Sequence, residues 1–247
     1  CIPFEKPVSK WEEQIQVIHK LYDSTPDNIV SYDGKYYKLE GACLQAPPIR
    51  KPRPPTYMAA GGKRTLAMTG KLGDGWLPIG YTPVLFADHK AQIEKSMNEN
   101  NRTQEEKDNF QFALDIDVYF SEDAEQSWAK MKEAVKVSLF KPEILRVHKL
   151  KEIEGFDFVK YFTEYSMSDQ SWIVKMREAA TQMPDDVARS SIALGTPEDI
   201  IPVFEEFMKA GVNHFVIRFW GKNYFGSIDK FATHVMPKLR ETADRKS

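Results

Sequence analysis

The sequence predicts an α/β protein built on a parallel sheet with crossover helices. Two observations predict it. Four apolar runs read as strands: TYMAA (56–60), GWLPI (75–79), FQFALDIDVYF (110–120) and VNHFVIRF (212–219). Segments with helical spacing or helix-start signals lie between them, and strand–helix alternation favours parallel pairing. A closed (β/α)8 barrel needs eight strands. The 247-residue chain is long enough for a barrel, yet it spends much of its length on other elements.

Those elements follow in order. Ser9 to Ser24 carries Trp11, Ile15, Ile18 and Tyr22 on one face, an amphipathic helix. IVSYDGKYYKLEG places Asp33-Gly34 between two β-rich runs, a hairpin signal. APPIRKPRPP (46–55) is a stiff extended connector. After the first apolar strand, 63–72 reads as a short helix, and after the second, Pro83 to Asn98 is a helix with Pro in its first turn. Ser121, with Glu122 and Asp123, caps a helix running to about Phe140. Residues 141–190 are less regular and look like an inserted helical segment. Thr196-Pro197-Glu198-Asp199 starts another helix, which stops at Gly211 and is expected to carry a kink or an early irregularity at Pro202. Ile228 to Thr242 closes the chain as a helix. The whole, 1–247, is read as one domain.

Composition narrows the function. The chain is 42% hydrophobic and 28% charged, with a formal net charge of −2. It has no polybasic run, which argues against broad nucleic-acid binding. No segment reaches the ~18 apolar residues of a membrane span. Cys1 and Cys43 form neither a metal spacing nor a disulfide framework, so a reducing cytoplasm is expected. A first residue that is Cys rather than Met points to missing upstream sequence. The alternative, a lipid-modified mature terminus, lacks the flexible Gly/Ser tether that would follow it.

The turn Ala59-Ala60-Gly61-Gly62 sits at the carboxyl end of a strand and a helix follows at once. Ligands bind at such ends in parallel α/β proteins. Small residues let a ligand approach the backbone, and helix-start N–H groups favour an anion such as phosphate. Lys63 and Arg64 add positive charge. The plainer reading is a tight turn needing Gly only for its dihedrals. The pattern is neither a P-loop nor GxGxxG.

The run PPTYMAAGGKRTLAMTGKLGDGWLPI resembles the central segment of the luciferase-like flavin oxidoreductases, and most of all their deazaflavin (coenzyme F420) branch. WEEQIQVIHKLY is similar to the family helix after the fourth barrel strand, and VSYDGKYYKLEGACL to its hairpin. ALGTPEDIIPVFEEFMKAGVNHFVI is similar to its last βα unit, and PKLR to its closing helix. The order of the pieces covers most of the chain except 141–190. The resemblance implies a (β/α)8 TIM barrel of which about the last four βα units are present, with the hairpin and a helical insertion. It implies that Ala59, Ala60, Gly61 and Gly62 lie against the phosphate-bearing tail of the cofactor, and that the catalytic groups lie upstream of residue 1. The expected activity is F420-dependent hydride transfer to or from a small organic substrate. An FMN-dependent monooxygenase is the second reading. A non-catalytic truncated barrel that binds flavin or self-associates is the third. The partner is a second copy or the missing amino-terminal half.

Other residues have two readings each. Arg218, near the end of the last strand, can bind a cofactor or substrate anion, or serve an ion pair. Asp115, Asp117 and Tyr119 alternate on one strand face. Paired carboxylates there can transfer protons, or be structural acids with partners. The sugar-phosphate dehydrogenases of the deazaflavin branch carry a Lys near Tyr81-Thr82, and its absence argues against a sugar-phosphate substrate. Asp74 reads as a turn residue. Trp76 and Pro78 read as core, or as the wall of a ring pocket. His19, His89, His214 and His234 show no metal spacing. The Met, Phe and Trp residues of 128–176 read as helix-packing surface or an oligomer contact.

Overall fold

The computed structural model describes residues 5–150 and 170–244. The readings placed on Cys1 and on 151–169 of the insertion lie outside these residues. The chain groups into two compact units. The first holds the residues up to Trp76 together with Gln92–Gln111, the second Leu77–Ala91 and the residues from Phe112 onward.

In the first unit, α1 (Pro7–Tyr22) starts earlier than its apolar spacing predicts, because Pro7 suits the first helical turn. Its Ile15 forms a core with Met58 and Met68, against which Trp11 and Leu72 pack. The predicted hairpin forms, with β1 (Val30–Asp33) antiparallel to β2 (Lys38–Ala42). Glu13 of α1 accepts N–H bonds from Lys35, Tyr36 and Tyr37 at 2.8–3.2 Å, supplying partners for the turn's backbone donors. The next two strands are shorter than their apolar runs. β3 (Tyr57–Met58) and β4 (Gly75–Trp76) pair in parallel over two residues each. Pro54 and Pro55 before the one and Pro78 after the other have no N–H for a ladder. Between them runs α2 (Lys63–Leu72), as predicted. The chain continues through α3 (Pro83–Glu99) to α4 (Gln104–Asp108), a helix not predicted. Its signal was present as Thr103-Gln104-Glu105-Glu106, a capping box in which Thr103 and Glu106 satisfy each other's N–H groups.

The second unit centres on β5 (Gln111–Phe120). It pairs in parallel with β6 (Ile192–Gly195) along 117–120 and with β7 (His214–Phe219) along 113–118, and Ile79 bridges to Asp115. Strand β6 was not predicted. Among the described residues, five parallel strands therefore form where four were expected. α5 (Ala124–Leu139) is capped by Asp123, not by Ser121: the Asp123 carboxylate accepts the Gln126 N–H at 2.8 Å, while the Ser121 hydroxyl donates to the Asp123 carbonyl. The described part of the insertion is helical: α6 (Pro142–Val147), α7 (Gln170–Ala180) and α8 (Asp185–Arg189). Trp128 of α5 is buried, with its indole N–H on Asp185 at 2.9 Å. α9 (Pro197–Lys209) is assigned as one helix with Pro202 inside it. The single closing helix expected over 228–242 is instead α10 (Tyr224–Lys230), a π turn (Phe231–Val235) and α11 (Met236–Asp244). Pro237, at the second position of α11, has no N–H to continue a regular ladder backward. Phe204 forms the aromatic core of this unit, with ring centroids 4.8 Å from Phe215 and 5.4 Å from Phe231.

Among the described residues no helix is long and apolar enough to cross a membrane, and no group of three or more His, Cys, Asp or Glu is placed to hold a metal ion.

Candidate functional site

The first unit carries the Ala59–Gly62 turn between β3 and α2. Trp76, fully buried, donates its indole N–H to the Ala60 carbonyl at 2.9 Å and so fixes the turn from below. Trp76 is therefore core, and its polar atom is used in holding the turn. Gly62 is the N-cap of α2, in extended conformation with φ −83°. The Gly62 carbonyl accepts the Leu66 N–H at 2.9 Å and the Thr65 hydroxyl at 2.8 Å. No side chain caps this helix start, and its first turn contains no acidic residue. The first amides of a helix have no partner within it and carry the positive end of the dipole.

The glycines here are not explained by backbone dihedrals. Neither Gly61 nor Gly62 has a positive φ. Among the described residues, a Cβ on Gly62 would meet only the Thr65 hydroxyl, at 3.7 Å. Gly62 is exposed, so there is room beside the start of α2. Lys63 and Arg64 are exposed beside it, Arg64 donating to the Ser9 hydroxyl at 3.2 Å. An uncapped, acid-free helix start with space over its glycine and two cations alongside suits a phosphate group.

Below the turn, Asp74 is a brace. Its carboxylate takes both ends of the Arg53 guanidinium and the Thr56 N–H at 2.8 Å. Burial raises the Asp74 pKa, but these bonds outweigh it and leave the group below its ordinary value. His19, bonded to the Thr56 hydroxyl at 3.0 Å, is lowered by burial and by the Arg53 charge.

The second unit carries the other predicted residues. Arg218 of β7 reaches Asp115 (Nε to Oδ1, 2.8 Å) and Asp117 (Nη2 to Oδ1, 2.9 Å), its register neighbour on β5. Asp115 Oδ1 and Arg218 Nε are buried, and although close they are not aligned for a hydrogen bond. Burial, with Asp117 adding to it, holds the Asp115 carboxyl above its ordinary value against the pull of Arg218. Asp117 also accepts the Trp220 indole N–H at 2.6 Å. Three residues singled out in the sequence thus form one cluster, and Trp220 joins it. Asp117, Arg218 and Trp220 line a cavity of about 490 Å³ together with Met131, Ala134 and Val135 of α5 and with Ile192 of β6, the register partner of Asp117.

Lys141, the residue before α6, also lines this cavity, and nothing in the sequence linked it to Ile79. Its ammonium donates to the Ile79 and Gly80 carbonyls, both at 2.9 Å, and lies 5.2 Å from the centre of the Tyr81 ring. Burial lowers its pKa. Tyr81 and Thr82 are buried. Tyr81 shares a hydrogen bond with His89 Nδ1 at 3.0 Å, and Thr82 with His148 Nε2 at 2.8 Å. Burial pushes the Tyr81 hydroxyl up and His89 down to about 4.

Comparison with known proteins agrees with the fold. Residues 2–214 match the luciferase-like monooxygenase family, and the chain belongs to it. It is 27% identical over 240 residues to the 5,10-methylenetetrahydromethanopterin reductase of Archaeoglobus fulgidus, covering 97% of this chain and 69% of that protein. It is 24% identical to the F420-dependent glucose-6-phosphate dehydrogenase of Amycolatopsis mediterranei, covering 96% of this chain and 63% of that one. The coenzyme F420-dependent tetrahydromethanopterin reductase of Methanopyrus kandleri has the same fold. The TM-score is 0.70 at 22% identity, over 94% of this chain and 63% of that structure. The chain spans about two thirds of the length of these relatives.

Proposed function

We propose that this chain of the luciferase-like family serves an F420-dependent oxidoreductase, which moves a hydride to or from a small organic substrate. The observation that carries the reading is the Ala59–Gly62 turn: an uncapped helix start, with no acid in its first turn and open space over Gly62. Ala59, Ala60, Gly61 and Gly62 hold the phosphate-bearing tail of the cofactor there, and Trp76 keeps the Ala60 carbonyl in place. When bound, the deazaflavin ring supplies the hydride chemistry, and the protein supplies binding and orientation. The cavity beside Arg218, of a size usual for small-molecule sites, takes the substrate. Relatives that depend on F420 support this choice of cofactor. The catalytic groups and the remaining barrel strands belong to sequence outside this chain, or to a partner that completes the sheet.

An FMN-dependent monooxygenase is the second reading, favoured by the activity for which the family is named. A non-catalytic, self-associating chain is the third. It is supported by the apolar groups left exposed around α10, where Phe225 is 78% and Tyr224 50% accessible.

Titration of the purified chain with F420, and separately with FMN, tests the reading. Saturable binding of F420 and weaker binding of FMN is the expected result. Preference for FMN moves the assignment to the monooxygenase. Binding of neither cofactor, with a concentration-dependent dimer in sedimentation, moves it to the non-catalytic reading.

A further inference from the structure

A second cavity, of about 260 Å³, lies between α5 and α7. Lys132, Glu133 and Lys136 of α5 line it, with Arg177 and Ala180 of α7 and Thr181 just beyond. Three cations thus stand around one carboxylate, and their own partners neutralise them poorly. Lys132 and Lys136 are four residues apart on one helix, where like charges repel. Lys132 is exposed and makes no hydrogen bond or ion pair among the described residues. Lys136 is only 9% exposed, and a buried charge is costly unless it is paired. Its ammonium has three donors. Among the described residues its partner is Asp185 Oδ1, at 2.5 Å, and the other Asp185 oxygen takes the Trp128 indole N–H. Arg177 meets Glu133 through Nε, at 3.3 Å, with the two side chains 59% and 62% exposed. Such a surface pair contributes little. Even with Asp185 counted, cations exceed carboxylates by three to two. The last carbonyls of α7 would repel an anion, but all four are taken. Arg177 and Glu178 accept the Thr181 N–H, Ala179 that of Gln182 and Ala180 that of Met183, at 3.1–3.3 Å.

We propose that this cavity binds a phosphate group, free or on a small phosphomonoester, held by Lys132, Lys136 and Arg177. Its volume is below that usual for a drug-sized ligand and suits a tetrahedral dianion. The ion supplies the counter-charge that the two lysines lack. It also ties α5 to α7, because Arg177 comes from the second helix, so binding stabilises the folded chain. The site belongs to the second unit. It does not depend on the cofactor reading, which uses the Ala59–Gly62 turn of the first.

Calorimetric titration with inorganic phosphate at low ionic strength tests it, in a Gly62→Asp background that closes the other anion-suited turn. Saturable binding is expected, with a dissociation constant of about 1 mM or below. Phosphate is also expected to raise the melting temperature more than potassium chloride at matched ionic strength. Two variants place the binding. Lys132→Gln removes an exposed, unpaired charge without touching the fold and weakens phosphate by about fivefold. Lys136→Met keeps the apolar stem, loses the ammonium and abolishes binding. If Lys136→Met does not fold, Lys132→Gln decides alone. Glycerol 3-phosphate separates the two sources. Binding tighter than phosphate supports a phosphomonoester occupant, and weaker binding supports the free ion. The proposal is overturned if phosphate gives neither saturable heat nor a rise in melting temperature beyond that of chloride. It is also overturned if folded Lys132→Gln binds phosphate as tightly as the parent.

Discussion

The indole N–H of Trp76 and the carbonyl of Ala60 form a buried 2.9 Å hydrogen bond, which ties the end of β4 to the turn after β3. The first residue is wholly in the core, and the second belongs to the turn assigned to the cofactor tail. Packing and ligand geometry are therefore coupled. In Trp76→Phe the N–H is lost and a smaller ring leaves space. Stability is expected to fall by about 1–3 kcal/mol, measured by urea denaturation. Affinity for F420 should fall with it, and at a denaturant concentration where the variant is still fully folded.

Gly62→Asp should move two readouts in opposite directions. The backbone at 62 is extended, as an N-cap requires, and a Cβ there has room. Aspartate is a better N-cap than glycine by a few tenths of a kcal/mol, about 0.3–0.5, so the melting temperature should hold or rise slightly. The same carboxylate stands where the anionic tail would sit, and F420 affinity should drop by about tenfold or more. Equal binding by variant and parent would remove the turn from the site.

Alanine usually stabilises a helix relative to glycine by about 1 kcal/mol. At Gly70 the sign should reverse. A Cβ there would lie 2.5 Å from the Ile93 carbonyl oxygen and 2.7 Å from the Ser96 Cβ, both on α3. The backbone oxygen cannot swing aside as a side-chain tip can. Gly70→Ala is expected to destabilise by about 1–3 kcal/mol through overpacking, seen as a lower denaturation midpoint with an unchanged slope.

His89 makes stability fall on acidification. Its pKa is about 4 in the folded chain, depressed first by burial, against 6.5 for the ordinary group. Between these values the unfolded chain binds more protons than the folded one. Stability is then fully present above about pH 6.5 and declines toward pH 4, with a slope of up to about 1.4 kcal/mol per pH unit. His19 and His148 are lowered too and add to the same trend. Denaturant midpoints measured from pH 8 to pH 4 should show a shallower fall in His89→Gln than in the parent. Identical pH profiles would show that His89 is not the titrating group.

Local patterns were legible where one signal decides the outcome. Asp33-Gly34 between β-rich runs forms its hairpin, 63–72 its helix, and the alternation of Asp115 and Asp117 with apolar neighbours its two-faced strand. Signals too short to outweigh their context were missed. Ile192–Gly195 is only four residues long and becomes a strand because β5 offers it an edge. Asp123 displaces Ser121 as a cap because its carboxylate is the group that meets the Gln126 N–H. Of the candidate site, Ala59–Gly62 and Arg218 were visible as residue types at strand ends, and Asp117 by its alternation along a strand face. Lys141 and Trp220 were not, because each matters through a partner far away in the chain, Ile79 for the one and Asp117 for the other.

The amino-acid sequence by itself determined the α/β class, the strand–helix alternation and the small-residue turn, because these depend on periodicity and on residues adjacent in the chain. The tertiary structure alone decided what those residues do. The absence of positive φ at Gly61 and Gly62 set aside a purely dihedral role. The parallel pairing of β5 with β7 placed Arg218 against two carboxylates. Charge compensation and open space depend on distances between residues remote in sequence, and no local pattern encodes those distances.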